Sequence, residues 1–225
     1  MNSYQNIQAK VDENQLITMK KSILSLVATI ALAGIANAGS VVFDNFSGTF
    51  TQVQAKGVAV AAGTGFVAVG TTALTPADLA NELNASGELS LAGRAALAAD
   101  FQVFGASVTF GFGGFDGYFQ GNAQGDGGAA AFVGNDIVLI AGNGTGIADS
   151  TSLLIMNGDT FAADAPVFSS NIGPDAGTLV FGSADGTNTL DAGFPALQMG
   201  NVVPEPGVSI LALLSAGILF LRRRR

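Results

Sequence analysis

The chain has 225 residues and a net charge of −8, with 48% apolar but only 12% charged residues, about half the ~25% usual in soluble domains. It contains 31 Gly and 16 Phe but no Cys, His or Trp. That excludes disulfide staples, thiolate or imidazole metal centres, and every Ser-His or Cys-His catalytic pair.

The first element is a leader. Met19-Lys20-Lys21 opens a basic stretch, Ser22–Ala33 is apolar, and Gly34-Ile35-Ala36-Asn37-Ala38 ends on the small-x-small pattern of a secretory signal peptide. Ala36 and Ala38 occupy the positions where signal peptidase requires small side chains, so the cut is expected between Ala38 and Gly39. The polar Met1–Thr18 precedes this complete signal and reads as a start assigned too early, with Met19 the initiator. An extended n-region is the alternative.

The body, Gly39–Asn201, holds Lys56 and Arg94 as its only cations against fourteen carboxylates, which leaves −12. Such a surface repels phosphate backbones, so no nucleic-acid partner is expected. Short apolar segments bounded by Gly, Asn or Asp predict strands at Ser40–Phe43, Thr49–Gln54, Phe66–Val69, Phe101–Phe104 and Ser107–Phe112. Further strands are expected at Ala129–Val133, Ile137–Ala141, Leu153–Met156, Val167–Ser169 and Thr178–Phe181. Asp116-Gly117, Asp126-Gly127, Asn143-Gly144, Asn157-Gly158 and Asp185-Gly186 have the chemistry of two-residue hairpin turns.

Two helices interrupt this pattern. Thr75-Pro76-Ala77-Asp78 supplies an N-cap, a first-turn proline and an acidic residue three after the cap, with Gly87 as terminator. Leu91–Ala99 is Ala-rich but contains Gly93. The resulting expectation is a mainly β, Gly-rich antiparallel sandwich or jelly-roll domain with one or two short helices. A β-solenoid is the alternative, although no fixed repeat runs through the turns.

Candidate chemistry in the body is sparse. Gly111–Phe119 is the densest aromatic stretch, and its rings either stack on sugars or fill the core while Gly permits a bulge. Asp116, Asp126, Asp136, Asp149, Asp159, Asp175 and Asp185 sit beside turn residues without forming a calcium-loop signature, which leaves a structural calcium open and no cofactor assigned. Gly142-Asn143-Gly144-Thr145-Gly146 has the glycine density of a phosphate loop, but no Gly-Lys-Ser/Thr follows. No catalytic residue is identified.

The C-terminal segment carries the most specific signal. Val202-Val203-Pro204-Glu205-Pro206-Gly207 leads into the apolar run Val208–Leu221 and then Arg222, Arg223, Arg224 and Arg225. The prolines fix an extended spacer. The fourteen apolar residues reach only about 21 Å as a helix, short of a ~30 Å hydrocarbon core. The arginines act as a stop on the cytoplasmic side.

This order resembles the PEP-CTERM sorting signal of Gram-negative bacteria, over Val203–Arg225. The resemblance implies Pro204, Glu205 and Pro206 as the motif read by an exosortase, a transmembrane helix over the apolar run, and cleavage near the motif. It also implies export through the Sec translocon, a transient hold in the inner membrane, and delivery to the surface or extracellular matrix. The function expected is that of a non-enzymatic surface or matrix protein, structural or adhesive in an exopolysaccharide setting. A carbohydrate-binding module and, behind it, a carboxylate-dependent glycoside hydrolase or lyase are the alternatives.

Overall fold

The computed structural model describes residues 39–46, 51–126, 129–162, 169–190 and 195–203. The expectations at Ala36 and Ala38, Pro204–Pro206, the apolar run and Arg222–Arg225 lie outside the described residues.

The body is mainly β. Strands β1 (Gly39–Asp44), β2 (Gln52–Ala55), β3 (Val58–Ala59) and β4 (Phe66–Thr71) lead to helix α1 (Pro76–Asn81). β5 (Leu89–Ser90) feeds helix α2 (Leu91–Asp100), followed by β6 (Gln102–Val103) and β7 (Gln120–Gly125). β8 (Asp136–Gly142), β9 (Ser152–Thr160), β10 (Ser169–Ile172), β11 (Thr178–Phe181), β12 (Ser183–Thr187) and β13 (Pro195–Val203) complete the order.

A large sheet runs β3-β2-β13-β9-β8-β4-β6, with β11 on β9 and both β5 and β12 on β13. A small sheet runs β10-β1-β7. At the centre, β8 and β9 pair antiparallel with Ile140 opposite Ile155. Their apolar residues form runs rather than an alternation, because both faces of this part of the sheet are covered. One face sends Leu139, Ala141, Leu154 and Met156 into a cluster with Val41 and Phe43 of β1, Ala123 of β7 and Ile172 of β10. The other sends Val138, Ile140, Leu153 and Ile155 against Leu79 of α1 and Leu97 of α2. The order of layers is therefore small sheet, large sheet, helices.

Several expectations need correction. Pairing is not uniformly antiparallel: β1 with β10, β2 with β13, and β5 with β13 are parallel. The paired strands are far apart in sequence, which supplies the long crossovers that parallel pairing demands. The solenoid alternative fails, since the large sheet is built around antiparallel neighbours rather than stacked parallel coils. Ser107–Phe112 is not a strand; only Val108 bridges, to Val67. Ala129–Val133 is a turn. β2 starts later and β6 is shorter than expected; of the expected strand Val167–Ser169, residues 167–168 lie outside the described residues, and Ser169 is in β10.

Asn157-Gly158 and Asp185-Gly186 are not turns but lie within β9 and β12. Gly158 is required for closeness rather than for bending. A Cβ there would sit 2.9 Å from Ile172 Cδ1. β7 shows the same logic. It was missed because its inward residues, Gly121, Ala123 and Gly125, carry almost no apolar signal. The volume comes instead from its neighbours, Phe43 lying over Gly121 and Phe104 over Gly125.

Both helices form as their caps dictate. Thr75 Oγ1 accepts from Asp78 N at 3.2 Å while Asp78 Oδ2 accepts from Thr75 N at 2.8 Å, a complete capping box. α1 nevertheless ends at Asn81, because Leu83 leaves the helix to bridge Leu89, and Gly87 serves the following turn. Ser90 Oγ caps α2 through Gly93 N at 2.8 Å. Gly93 is tolerated because a Cβ would meet Glu82 Cβ at 2.6 Å.

Phe43 and Gly121 are direct cross-strand partners, and a Cβ at Gly121 would lie 2.1 Å from Phe43 Cζ. Gly121→Ala is expected to cost about 1–3 kcal/mol of stability, the usual penalty of overpacking a core. Phe43→Leu in the same chain should recover part of it. Thermal melts of the single and double variants measure both effects, and additive losses would show that the two residues do not share this space.

Candidate functional site

The aromatic stretch divides between core and surface. Phe110 and Phe119 are buried and meet edge to face at 5.7 Å, and Tyr118 is buried beside them. Phe112 and Phe115 remain 42% and 56% exposed. Simple alternation fails here because Gly111 (φ 116°), Gly113 (63°), Gly114 (83°) and Gly117 (78°) all take left-handed conformations. A single 3-10 turn over Phe112–Gly114 thereby reverses the phase of the chain. Phe112 stacks on Phe46 at 4.4 Å with the rings 5° from parallel. Phe115 meets Tyr118 edge-on at 6.4 Å.

A set of buried amides holds this ledge in place. Asn45 is fully buried: its Nδ2 donates to Thr51 O at 2.7 Å and Gly117 O at 2.8 Å, and its Oδ1 accepts from Phe119 N at 2.8 Å. Gln52, also fully buried, donates to Asp116 O at 3.1 Å. Its Oε1 accepts from Thr189 N at 3.0 Å and from Gln54 Nε2 at 2.9 Å. Gln54 continues to Thr187 O at 2.7 Å and accepts from Gln198. Asn188 Nδ2 donates to Tyr118 Oη at 2.8 Å. The segment ending in Leu190, itself 56% exposed, is thus tied to the same side chains as the aromatic ledge.

These anchoring residues carry no mark in the sequence. Asn45, Gln52, Gln54 and Asn188 are dispersed polar residues, and only the fold brings them together. The ledge itself was legible as an aromatic-rich stretch, though not which of its rings would be exposed.

The glycine-rich loop after β8 turns its amides onto a residue of its own. Its amides already bind an internal anion: Asp149 accepts from Thr145 N at 3.0 Å, Thr145 Oγ1 at 2.6 Å and Gly146 N at 2.8 Å. These bonds, the Thr145 hydroxyl first, hold the Asp149 carboxyl well below its ordinary 3.8, at about 2. Arg94 of α2 donates to Ser150 O at 2.7 Å and fastens the loop to the helix layer. Asp78 and Asp100 are also lowered, first by the hydroxyls of Thr75 and Thr72.

Other turn aspartates also accept hydrogen bonds from within the chain. Asp116 accepts from Ala62 N at 2.7 Å, Asp159 from Thr160 N at 2.8 Å, and Asp185 from Ser183 Oγ. Among the described residues no three carboxylates gather into a metal site. Among the described residues, clefts on the helix side include two. One, of about 270 Å³, is polar and includes Asp136, Asn157 and Thr72. The other, of about 320 Å³, lies between α2, β6 and the Asp149 loop and is lined by Ala98, Phe101, Val103 and Ile147.

Of the residues expected to direct processing, Gly39 opens β1, and β13 runs through Val203, the residue before Pro204. Among the described residues no helix is long and apolar enough to cross a membrane. Comparison with protein-family models, curated proteins and solved structures returns no match to the chain.

Two outcomes follow from these contacts. Asn45→Ala removes one side chain but orphans several buried partners, so it should cost at least about 1–3 kcal/mol. It should also quench the near-UV signal of Tyr118, whereas Asn122→Ala on the outer face of β7 should do neither. For Asp149 the folded value lies below the unfolded one. The loop's stabilisation is therefore present above pH 3.8 and lost as pH falls through about 2. NMR titration should show the Thr145 and Gly146 amides shifting with that low midpoint, and Asp149→Asn should abolish the transition.

Proposed function

We propose that the chain is an exported, non-enzymatic surface or matrix protein whose β-sandwich body is sorted through a cleavable tail of the PEP-CTERM kind. The supporting observation is the order of signals along the sequence: the basic, apolar and small-x-small leader ends at Ala38, and Pro204-Glu205-Pro206, the apolar run Val208–Leu221 and Arg222–Arg225 follow the body. In this reading the Sec translocon and signal peptidase act at one end and an exosortase-like enzyme at the other. The four arginines hold the chain in the inner membrane between the two events, since each costs about 2.5–3.5 kcal/mol near the bilayer centre.

The adhesive surface in this reading is the Phe112–Phe115 ledge. It places apolar rings on a body of net charge −12 and holds them on a backbone fixed by Asn45 and Gln52. Carbohydrate binding is the second reading, favoured by the same rings, whose flat faces suit the apolar faces of sugars.

Intact mass of protein recovered from the native surface or medium is expected to start at Gly39 and to lack Val208–Arg225. Replacing Pro204, Glu205 and Pro206 with Ala should leave uncleaved chain in the inner membrane, and replacing Arg222–Arg225 with Ser should weaken its retention. Surface material that still carries the apolar run would overturn the sorting reading. For the ledge, a glycan array probed with the chain and with Phe112→Ala/Phe115→Ala separates the two roles. Glycan binding lost in the double variant supports the carbohydrate reading, and its absence leaves adhesion to other surfaces.

A further inference from the structure

We infer that the polar cleft of about 270 Å³ between the β4–α1 loop and the start of β8 binds an amino sugar, gripped by Asp136 and Asn157. A cleft of that volume is at the small end of ligand sites and has room for one monosaccharide-sized group. Its walls are fastened from within. In the loop, Ala73 N donates to Asp100 at 2.6 Å, Leu74 N to Thr72 Oγ1 at 3.2 Å and Thr75 N to Asp78 at 2.8 Å. Across the cleft, Gly134 N donates to Phe161 O at 2.9 Å and Asn135 Nδ2 to Ala131 O at 2.9 Å. A cleft whose backbone donors are spent on its own walls keeps its shape and meets a ligand through side-chain acceptors.

Asp136 stands out among those acceptors. Asp78, Asp100, Asp116, Asp149 and Asp159 each accept a bond of 2.8 Å or shorter. The exposed Asp136 carboxylate accepts only from Asn157 Nδ2 among the described residues, at 3.5 Å. That is beyond the roughly 2.7–3.2 Å of an ordinary bond. The backbone accounts for the gap. β8 takes two steps from Val138 to Asp136, whereas β9 takes three from Asn157 to Thr160, so a bulge interrupts the pairing beside the cleft. Bulges bend a strand and re-aim its side chains, and they recur next to active sites.

The chemistry left over selects the ligand. The Asp136 carboxylate and the amide oxygens of Asn135 and Asn157 are all acceptors, and neither Lys56 nor Arg94, the only cations of the body, lines the cleft. A carboxylate without a cation, on a body of net charge −12, suits a ligand that brings a positively charged donor. A calcium ion would need about six to eight oxygens, and no three carboxylates gather among the described residues. The amide oxygens accept from hydroxyls as readily as from an ammonium. Leu74 and Pro76 add an apolar wall for the C–H face of a ring. An ammonium and several hydroxyls on one compact ring describe an amino sugar. The inference rests neither on the sorting tail nor on the Phe112–Phe115 ledge.

Calorimetric titration of the full chain with short oligomers of glucosamine, of N-acetylglucosamine and of glucose tests it. The glucosamine oligomer should bind at least about tenfold more tightly than the other two, which lack the ammonium. Asp136→Asn should leave the thermal melt unchanged and remove that margin, and Asn157→Ala should weaken binding as well. Asp185→Asn makes the same charge change on exposed β12 and should leave binding intact. The side-chain amide of Asn157 should shift in NMR spectra as the glucosamine oligomer is added. No binding, or equal affinity for the glucose oligomer, would overturn the site. Equal losses in Asp136→Asn and Asp185→Asn would overturn it by showing a diffuse acidic attraction. A lysine oligomer bound as tightly would overturn the sugar in favour of a bare ammonium. Binding lost in Phe112→Ala/Phe115→Ala but kept in Asp136→Asn would overturn the cleft by placing the sugar on the ledge.

Discussion

The structure rests on the β8–β9 pair being covered on both faces. Ile137, Leu139, Ile140, Leu153 and Leu154 are essentially inaccessible to water, each worth about 1.5–3 kcal/mol of burial. Because alternate residues go to opposite layers, neither the small sheet nor the helix layer can be lost without exposing half of this central strand pair. The rest of the architecture serves that requirement. β4 and β13 extend the central sheet on either side, β1 brings Val41 and Phe43 to one face, and α1 and α2 bring Leu79 and Leu97 to the other.

A body poor in charge and rich in glycine has to specify its loops by other means. It does so with buried amides and with hydroxyl–carboxylate pairs. Asn45, Gln52, Gln54 and Asn188 satisfy backbone carbonyls and amides that would otherwise be stranded beneath the aromatic ledge, and a network of this kind fixes a single arrangement only while every member is satisfied. On the surface, Thr75–Asp78, Thr72–Asp100 and Thr145–Asp149 close their turns in the same way. Much of the acidity is thus employed as hydrogen-bond acceptors rather than left as a diffuse field. That use also accounts for the failure of the glycine-rich loop to present free amides to a phosphate.

Glycine here does two separate jobs. In the ledge it permits backbone conformations that other residues rarely adopt, and so turns Phe112 and Phe115 outward. At Gly121, Gly158 and Gly200 it provides room, for Phe43, Ile172 and Phe181 respectively. A large ring on one strand over a bare backbone on the next fills the same volume as two medium side chains, but moves the apolar signal onto a single strand.

That displacement explains what was and was not legible. The sequence by itself determined the mainly β class, the central apolar runs of β8 and β9, the cap of α1 from Thr75 and Asp78, and the range of β11, because each depends on residues close together in the chain. Only the tertiary structure decided that Asn157-Gly158 and Asp185-Gly186 continue strands instead of turning, that β7 and β13 are strands at all, and that three pairings are parallel. Only it could assemble Asn45, Gln52 and Asn188 under one loop. The physical reason is the same in each case. Turn and cap chemistry acts over a few residues, whereas the space beneath a ring and the partner of a buried amide are supplied by other segments, 137 residues away in the case of Gln52 and Thr189.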